Sequence, residues 1–253
     1  MSNTVQKIAL ITGGTRGIGL ACAELLAKNG YDLCLNYLQN DEAAAVAKQR
    51  INSLGQRCLL YKGDVSQESV VQSMFLAMDK ELGTVSALVN NAALMEKQIS
   101  IEQVTQARLN RMFSSNITSY FLCAKEAVLR MATKHGGVGG SIVNVSSLAA
   151  KTGSAHEYLD YAASKGAIDT LTYGLAKEMS RENVRVNLVR PAFIYTQMHA
   201  DGGEAGRVDR IKDSLPLGRG GQPEEVAKAV YWFISDDSSF TTGDSINVAG
   251  GLN

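Results

Sequence analysis

The feature that most restricts the fold stands near the front of the chain. A short, largely apolar run from Lys7 to Ile11 is followed at once by Thr12-Gly13-Gly14-Thr15-Arg16-Gly17-Ile18-Gly19. Such a run, with no polar alternation, reads as a strand buried on both faces. Beyond the glycines, Ala21, Leu25 and Leu26 recur at helical spacing. Strand, glycine turn and helix in that order aim backbone N–H groups and a helix N-terminus at one spot, which suits a phosphate. The spacing is G-x-x-x-G-x-G, not the G-x-G-x-x-G of the usual dinucleotide fingerprint. A bare glycine turn would be a plain strand–helix connection. Gly17-Ile18-Gly19 at a helix start favours the phosphate reading.

The same alternation runs to the end of the chain. Apolar runs at 31–36, 57–62, 85–89, 141–145, 184–189 and 245–248 read as further strands. Helical patterns fall between them, at about 41–54, from 66, at about 113–131, at about 160–180 and from Pro223, with a capping box at Ser100 to Gln103 opening one more. Strands alternating with helices predict a parallel sheet covered on both sides. The expectation for these 253 residues is one α/β domain: a Rossmann fold, doubly wound around a seven-stranded parallel sheet. Residues 192–221 are polar, Gly-containing and partly aperiodic, long for a connection. They read as a substrate lid with a short helix.

Lysine and arginine balance aspartate and glutamate, 25 against 25, so nothing draws the chain to nucleic acid or to an anionic membrane surface. Cys22, Cys34, Cys58 and Cys123 are scattered in apolar contexts, without metal-ligand spacing, and read as buried free thiols in a reducing cytoplasm. No metal site is expected. No apolar stretch is long enough to span a bilayer, and Met1 to Lys7 is too short and polar for a cleaved leader. His156 and His199 read as solvated or hydrogen-bonded loop residues. Trp232 and Phe233, with Ala227, Tyr231 and Ile234 at helical spacing, fit a core or a subunit interface equally.

The chemistry concentrates between Ser147 and Lys165. Tyr161 and Lys165 are four residues apart, on one face of a helix. An ammonium beside a phenol favours the phenolate and lowers its pKa, so such a phenol can trade a proton with a carbonyl or an alcohol. Ser147 follows the strand at 141–145, where its hydroxyl can bond the same oxygen. Asn116 interrupts an apolar helical pattern, and Asn inside a helix is disfavoured unless its side chain has a task. The second strand ends Leu35-Asn36-Tyr37 with no acid at the point where a ribose-reading carboxylate stands in NAD-binding folds. Arg16 adds a positive charge nearby. Both features favour NADP over NAD. Asp64 can receive an adenine amino group or cap the next helix. Asn90-Asn91-Ala92-Ala93 ends the fourth strand with small residues that let a flat ring approach.

Taken together, Thr12-Gly13-x-x-x-Gly17-Ile18-Gly19, Asp64-Val65, Asn90-Asn91-Ala92, Asn116, Ser147, Tyr161-x-x-x-Lys165 and Pro191 with Thr196 resemble the short-chain dehydrogenase/reductase family over nearly the whole chain. The stretch from Tyr158 to Glu204 is most similar to a bacterial subgroup of NAD(P)-binding, glucose-dehydrogenase-like oxidoreductases. The resemblance implies an enzyme, with Tyr161 as general acid and base, Lys165 lowering its pKa and holding the nicotinamide ribose, Ser147 orienting the carbonyl and Asn116 keeping a water in a proton relay. It implies that Gly13, Thr15, Arg16, Gly17 and Ile18 line the phosphate and adenosine end, with Asn36 and Tyr37 beside them. Asp64 and Val65 would meet adenine; Asn91, with Ala92 and Ala93, the adenosine ribose region; Pro191, Ile194 and Thr196 the nicotinamide. Tyr158 and Ala192 would join Ser147 and Tyr161 around a small carbonyl or alcohol substrate. A homotetramer is implied, with a homodimer as the alternative.

The chain departs from the family pattern in three places. Ala93 and Ala192 stand where glycine is usual, and each methyl narrows the room near the cofactor. The third is the interval from Ser147 to Tyr161, one residue longer than the commoner spacing, which leaves Ser146 as the alternative serine. Two other functions stay open: a dinucleotide-sensing or scaffolding protein without turnover, and a 3-oxoacyl thioester reductase.

Overall fold

The structure, a computed structural model, describes residues 6–253. The first five residues of the polar lead-in at Met1 to Lys7 lie outside the described residues.

Seven strands form one parallel sheet: β1 (Lys7–Ile11), β2 (Tyr31–Tyr37), β3 (Cys58–Lys62), β4 (Ala87–Asn90), β5 (Gly140–Val145), β6 (Val184–Pro191) and β7 (Ser245–Val248), in the order β3-β2-β1-β4-β5-β6-β7. Every pairing is parallel, from Lys7 opposite Tyr31 to Pro191 opposite Val248. The chain winds outward twice from the middle, so the direction of winding reverses between β1 and β4. In open α/β sheets, ligands bind beyond the carboxyl ends of the strands at this reversal.

Each strand divides its side chains between two cores, as the two-residue period requires. Ala9 and Ile11 of β1 face a core built with α1 (Gly17–Lys28), α2 (Asp41–Ser53) and α10 (Pro223–Ile234). Ile8 and Leu10 face a core built with α3 (Glu68–Glu81), α5 (Ser119–Met131) and the far end of α7 (Leu159–Met179). Cys22, Cys34, Cys58 and Cys123 are all buried in these layers as free thiols. Phe233 and Ile234 belong to the first core, whereas Trp232 stays 38% exposed on the outer side of α10.

One helix differs from its expected form. In place of a continuous helix from about 113, α4 (Gln106–Phe113) runs into a π-helical turn, Ser114–Thr118, and then into α5. The run Ser114-Ser115-Asn116 supplies no apolar contact, and the wider turn carries Asn116 inward, where it is fully buried. π-turns of this kind recur at functional sites. The capping box at Ser100 is present, but it opens only a single 3-10 turn, Ile101–Gln103.

Residues 192–221 form an excursion closed at its base by a bridge between Ile194 and Gly221. It carries two short helices rather than one, α8 (Met198–Asp201) and α9 (Arg207–Ile211). Its far side is tied down by ion pairs, among them Arg16 with Asp201 at 2.8 Å.

Candidate active site

The two strands at the winding reversal are joined beyond their ends by Thr12 and Asn91. The Thr12 hydroxyl accepts from the N–H groups of Asn91 and Ala92 at 2.9 and 3.0 Å, and the Asn91 amide donates to the carbonyls of Thr12 and Gly13 at 3.0 and 3.1 Å. This knot fixes the glycine turn. Gly13 and Gly17 have φ of +61° and +52°, which side chains disfavour. A Cβ on Gly19 would stand 2.2 Å from the Gly13 carbonyl oxygen, so only glycine lets the helix start that close to the turn.

The N-terminus of α1 has no side-chain cap and no acid in its first turn. Its first N–H groups, orphaned by helix geometry, therefore face the turn with the positive end of the helix dipole behind them. Uncapped donors and a turn with glycine at 13, 14, 17 and 19 fit a dinucleotide phosphate.

At the adenosine end the expected contacts are more engaged with the protein itself. Asn36 is buried, and its amide donates to the carbonyls of Tyr61 and Gly63. Tyr37 donates to Asp41, which also accepts from Lys62 at 2.7 Å. Asp64 accepts from Ser66 N–H at 2.9 Å, shaping the turn before α3, while Val65 packs into the core.

A single cleft gathers most of the remaining candidates. Ser147, Tyr158, Tyr161 and Lys165 line it together with Ile18, Asn91 and Ala93, and with Pro191, Ala192, Ile194 and Thr196. Both alanines that replace the usual glycines thus face it. The two candidate serines differ in their partners. Ser146 also lines the cleft, but its hydroxyl is engaged, donating to Asp169 Oδ1 at 2.6 Å. Ser147 accepts from Ala149 N–H at 3.2 Å, and its hydroxyl lies near enough the Tyr161 phenol to pull that pKa down. The loop is registered by Leu148 N–H bonded to the Pro191 carbonyl at 2.9 Å.

Tyr161 stands in the first turn of α7, and two residues hold that turn. Asp160 accepts from the Tyr161 N–H at 2.9 Å and pairs with Arg108 of α4, Nε to Oδ2 at 2.6 Å, with both side chains under a tenth exposed. Nothing in the sequence spacing pointed to Arg108.

Lys165 is 1% exposed and reaches back under the sheet end. Its Nζ donates to the Val145 carbonyl at 2.8 Å and to the Tyr120 hydroxyl at 3.1 Å, and lies 5.7 Å from the centre of the Tyr161 ring. Tyr120 donates to the same carbonyl at 2.9 Å. Burial decides both acidities here. It pushes the Tyr161 phenol up to about 12, with the Ser147 hydrogen bond and then the Arg207 charge pulling down. It pushes Lys165 down to about 7 against the pull of Asp169. The expected lowering of the phenol by its lysine is absent, because the amine spends its hydrogen bonds on Val145 and Tyr120 and the phenol loses its water.

Asn116 lies behind this group. Its amide oxygen accepts from Leu94 N–H at 2.6 Å, and its nitrogen donates to the Leu94 carbonyl at 2.9 Å and to Ser164 Oγ at 3.1 Å. Both ends of the side chain are engaged by protein partners.

Three further residues reach the cleft. Glu157 and Arg207, ion-paired to each other, line it from the α7 entrance and the lid. His199 lines it as well and is buried rather than solvated, with Nε2 3.0 Å from the Ile194 carbonyl oxygen. The exposed His156 keeps the surface place expected of it. A buried lid arginine has no local sequence signature.

Comparison with known proteins gives the same framework. A short-chain dehydrogenase profile described as enoyl-(acyl carrier protein) reductase matches residues 13–253. The chain is 54% identical to a protein of Escherichia coli (strain K12) named uncharacterized oxidoreductase YgfF, over 97% of this chain and all of the relative. It is 36% identical to carbonyl reductase family member 4 of Danio rerio, over 98% of each chain. It is 34% identical to a glucose and ribitol dehydrogenase homolog of Oryza sativa subsp. japonica, over 98% of this chain and 86% of that one.

The Lys165 shift makes stability depend on pH. Between about 7 and the ordinary 10.5, the unfolded chain keeps a proton that the folded amine has released, so this group adds stability as pH rises through that window. Wild type should gain on Lys165→Met by about 1 kcal/mol per pH unit in the lower part of that window. Urea unfolding of both proteins at a series of pH values measures it, and a pH-independent difference would contradict the shift.

Proposed function

The chain belongs to the short-chain dehydrogenase/reductase family and is an oxidoreductase of carbonyls and alcohols; we propose that it prefers NADP and that Tyr161 is its general acid and base. The observation that carries this reading is the cleft itself. The Tyr161 phenol and the Ser147 hydroxyl line one cavity, near enough for the hydroxyl to lower the phenol's pKa, with the Lys165 amine pinned behind them.

The nicotinamide dinucleotide, when bound, supplies or accepts the hydride. Gly13, Thr15, Arg16, Gly17 and Ile18 would hold its phosphate and adenosine end, with Asn36 and Tyr37 beside them. Asp64, Val65, Asn91, Ala92 and Ala93 would line the adenine and ribose region, and Pro191, Ile194 and Thr196 the nicotinamide. In reduction, Ser147 donates a hydrogen bond to the substrate carbonyl oxygen, and the Tyr161 hydroxyl gives that oxygen its proton. A phenol held near 12 stays protonated at neutral pH and is always loaded as an acid. Lys165, titrating near 7, is the group within reach that can reload it. In oxidation the proton runs the other way. For Asn116 the favoured role is positioning: it clamps the Leu94 backbone to Ser164, in the helix that carries Tyr161 and Lys165.

NADP preference rests on the end of β2, which offers no carboxylate, and on Arg16. That guanidinium is half-exposed and, among the described residues, held only by Asp201 of the lid, a surface pair of small worth that a phosphate can displace. The lid offers little to a thioester carrier: Arg207 is buried in its pair with Glu157, which leaves only Arg210 and Lys212, in exposed pairs with Glu204 and Asp209, to meet an anionic partner. A homotetramer finds support in the open edge of β7 and in Trp232 on α10. Among the described residues no helix is long and apolar enough to cross a membrane.

NADPH consumption over a panel of ketones and quinones tests the chemistry. Tyr161→Phe should lower kcat by about a hundredfold or more while still binding NADPH; equal measurable rates in the two proteins would remove Tyr161 as the acid, and NADPH binding without consumption of any carbonyl would favour the sensing protein instead. For the cofactor, NADPH should bind more tightly than NADH, and Arg16→Ala should cut that preference by about tenfold. A ratio unmoved by the substitution would remove Arg16 from the phosphate site.

A further inference from the structure

Tyr120 is among the largest side chains wholly buried in the protein, and its hydroxyl meets the amine of Lys165. Three polar atoms close a triangle there. Tyr120 Oη donates to the Val145 carbonyl at 2.9 Å, Lys165 Nζ donates to the same carbonyl at 2.8 Å, and Nζ donates to Tyr120 Oη at 3.1 Å. Each hydrogen in the triangle has one place to go. A carbonyl has two lone pairs and accepts both bonds. The single hydrogen of the Tyr120 phenol is committed to Val145, so toward the amine Tyr120 only accepts. Burial, and then Tyr161 and Cys123, push the Tyr120 pKa well above the ordinary phenol value, so the group stays neutral and keeps that hydrogen.

The amine is left with one open position. An ammonium has three N–H groups; a neutral amine has two and a lone pair. Both forms keep the bonds to Val145 and Tyr120, and they differ only at the third position. Among the described residues, Nζ has no third protein partner. Lys165 itself lines the cleft beside Tyr161 and Ser147.

Tyr120 reaches the amine because of the π-turn at Ser114–Thr118. Met112, Asn116 and Tyr120 follow one another at steps of four residues, and all three are buried. In an α-helix each such step overshoots a full turn by about 40°. The wider π-turn takes up that excess. The three therefore keep to one inward line, with Asn116 on Ser164 and Tyr120 on Lys165.

We propose that Tyr120 is a positioning residue for proton transfer: its hydroxyl fixes the Lys165 amine so that one position alone, on the cleft side, releases and recovers the proton. The inference rests on the reading of this cleft as the carbonyl-reducing site. The other titratable groups near the amine are Tyr161 and Asp169, both on its own helix, and Asp169 is held by Arg190 of β6 and by Ser146. None of them is bonded to Nζ, so the hydroxyl has no substitute.

Tyr120→Phe removes the hydroxyl and keeps the ring. Ser141→Ala removes another buried hydroxyl, one that donates from β5 to the Phe233 carbonyl, and serves as the control. The full chain is followed by NMR of the lysine ε-carbons and by NADPH consumption with a ketone. Loss of an acceptor costs an ammonium more than a neutral amine. The Lys165 midpoint should therefore fall by about one pH unit in Tyr120→Phe and stay in place in Ser141→Ala. Tyr120→Leu, a second variant without the hydroxyl, should move it the same way. Reduction by Tyr120→Phe should match wild type within about threefold at about pH 5.5 and be about tenfold slower at about pH 8, where less of the amine keeps its proton. A midpoint that stays or rises without the hydroxyl, or one that the control moves equally, would overturn the proposal. So would a loss of rate of the same size at both pH values, which is what a merely structural role gives. A midpoint that falls while no protein consumes a carbonyl supports the hold of Tyr120 on the amine and sinks the reductase reading alone.

Discussion

An amine with almost no access to water sets the terms for the whole cleft. Lys165 is kept there by the Val145 carbonyl and the Tyr120 hydroxyl, two partners that do not carry charge. An isolated ammonium in such surroundings is costly, and the group answers by lowering its pKa. The same dry environment raises the phenol of Tyr161 one turn away. The pair is therefore poised in a way neither residue would be on a surface helix: a protonated acid beside an amine close to its midpoint at neutral pH. Val145 ends β5, Tyr120 belongs to α5 and Asp160 with Arg108 holds the first turn of α7, so three separate elements must be in register before the amine and the phenol meet.

The winding reversal of the sheet does the rest. Thr12 and Asn91 tie the ends of β1 and β4, and the glycine turn hangs from that knot with its N–H groups uncapped. Ser147 leaves β5 next door, and β6 hands on Pro191 and the lid. One end of one sheet thus gathers the uncapped start of α1, the Tyr161 phenol and the excursion at 192–221. The lid differs from the sheet in what holds it. It returns through one bridge and several ion pairs, most of them exposed, which fits a segment that has to yield to a ligand.

Much of this was legible in the sequence, for physical reasons. Strands buried on both faces and helices with one apolar stripe leave periodic traces, and glycines forced by a close approach are visible as glycines. That is why the sheet, the turn at Gly13 to Gly19 and the Tyr161–Lys165 face emerge from residue spacing. The composite helix around Asn116 was not legible, because a π-turn adds a residue without any special composition. The acidity of Tyr161 also ran opposite to expectation. Helical spacing brings an amine near a phenol, but it says nothing about where the amine's hydrogen bonds go or how much water is left. Arg207, Glu157 and Arg108 were invisible for a third reason: their meaning comes from contacts across 50 residues or more, and a charged residue in a polar stretch reads as solvated until its partner is known.

The central claim is the depressed pKa of one lysine, and it is open to direct observation. Proton–carbon NMR of lysine ε-carbons, followed against pH and assigned with Lys165→Met, reads each amine separately. One resonance should show a midpoint at about 7 and be missing from the variant, among others at ordinary lysine values. If every lysine titrates near the ordinary value of about 10.4, the amine is not dry, and the coupling of Tyr161 to Lys165 drawn from this structure is wrong.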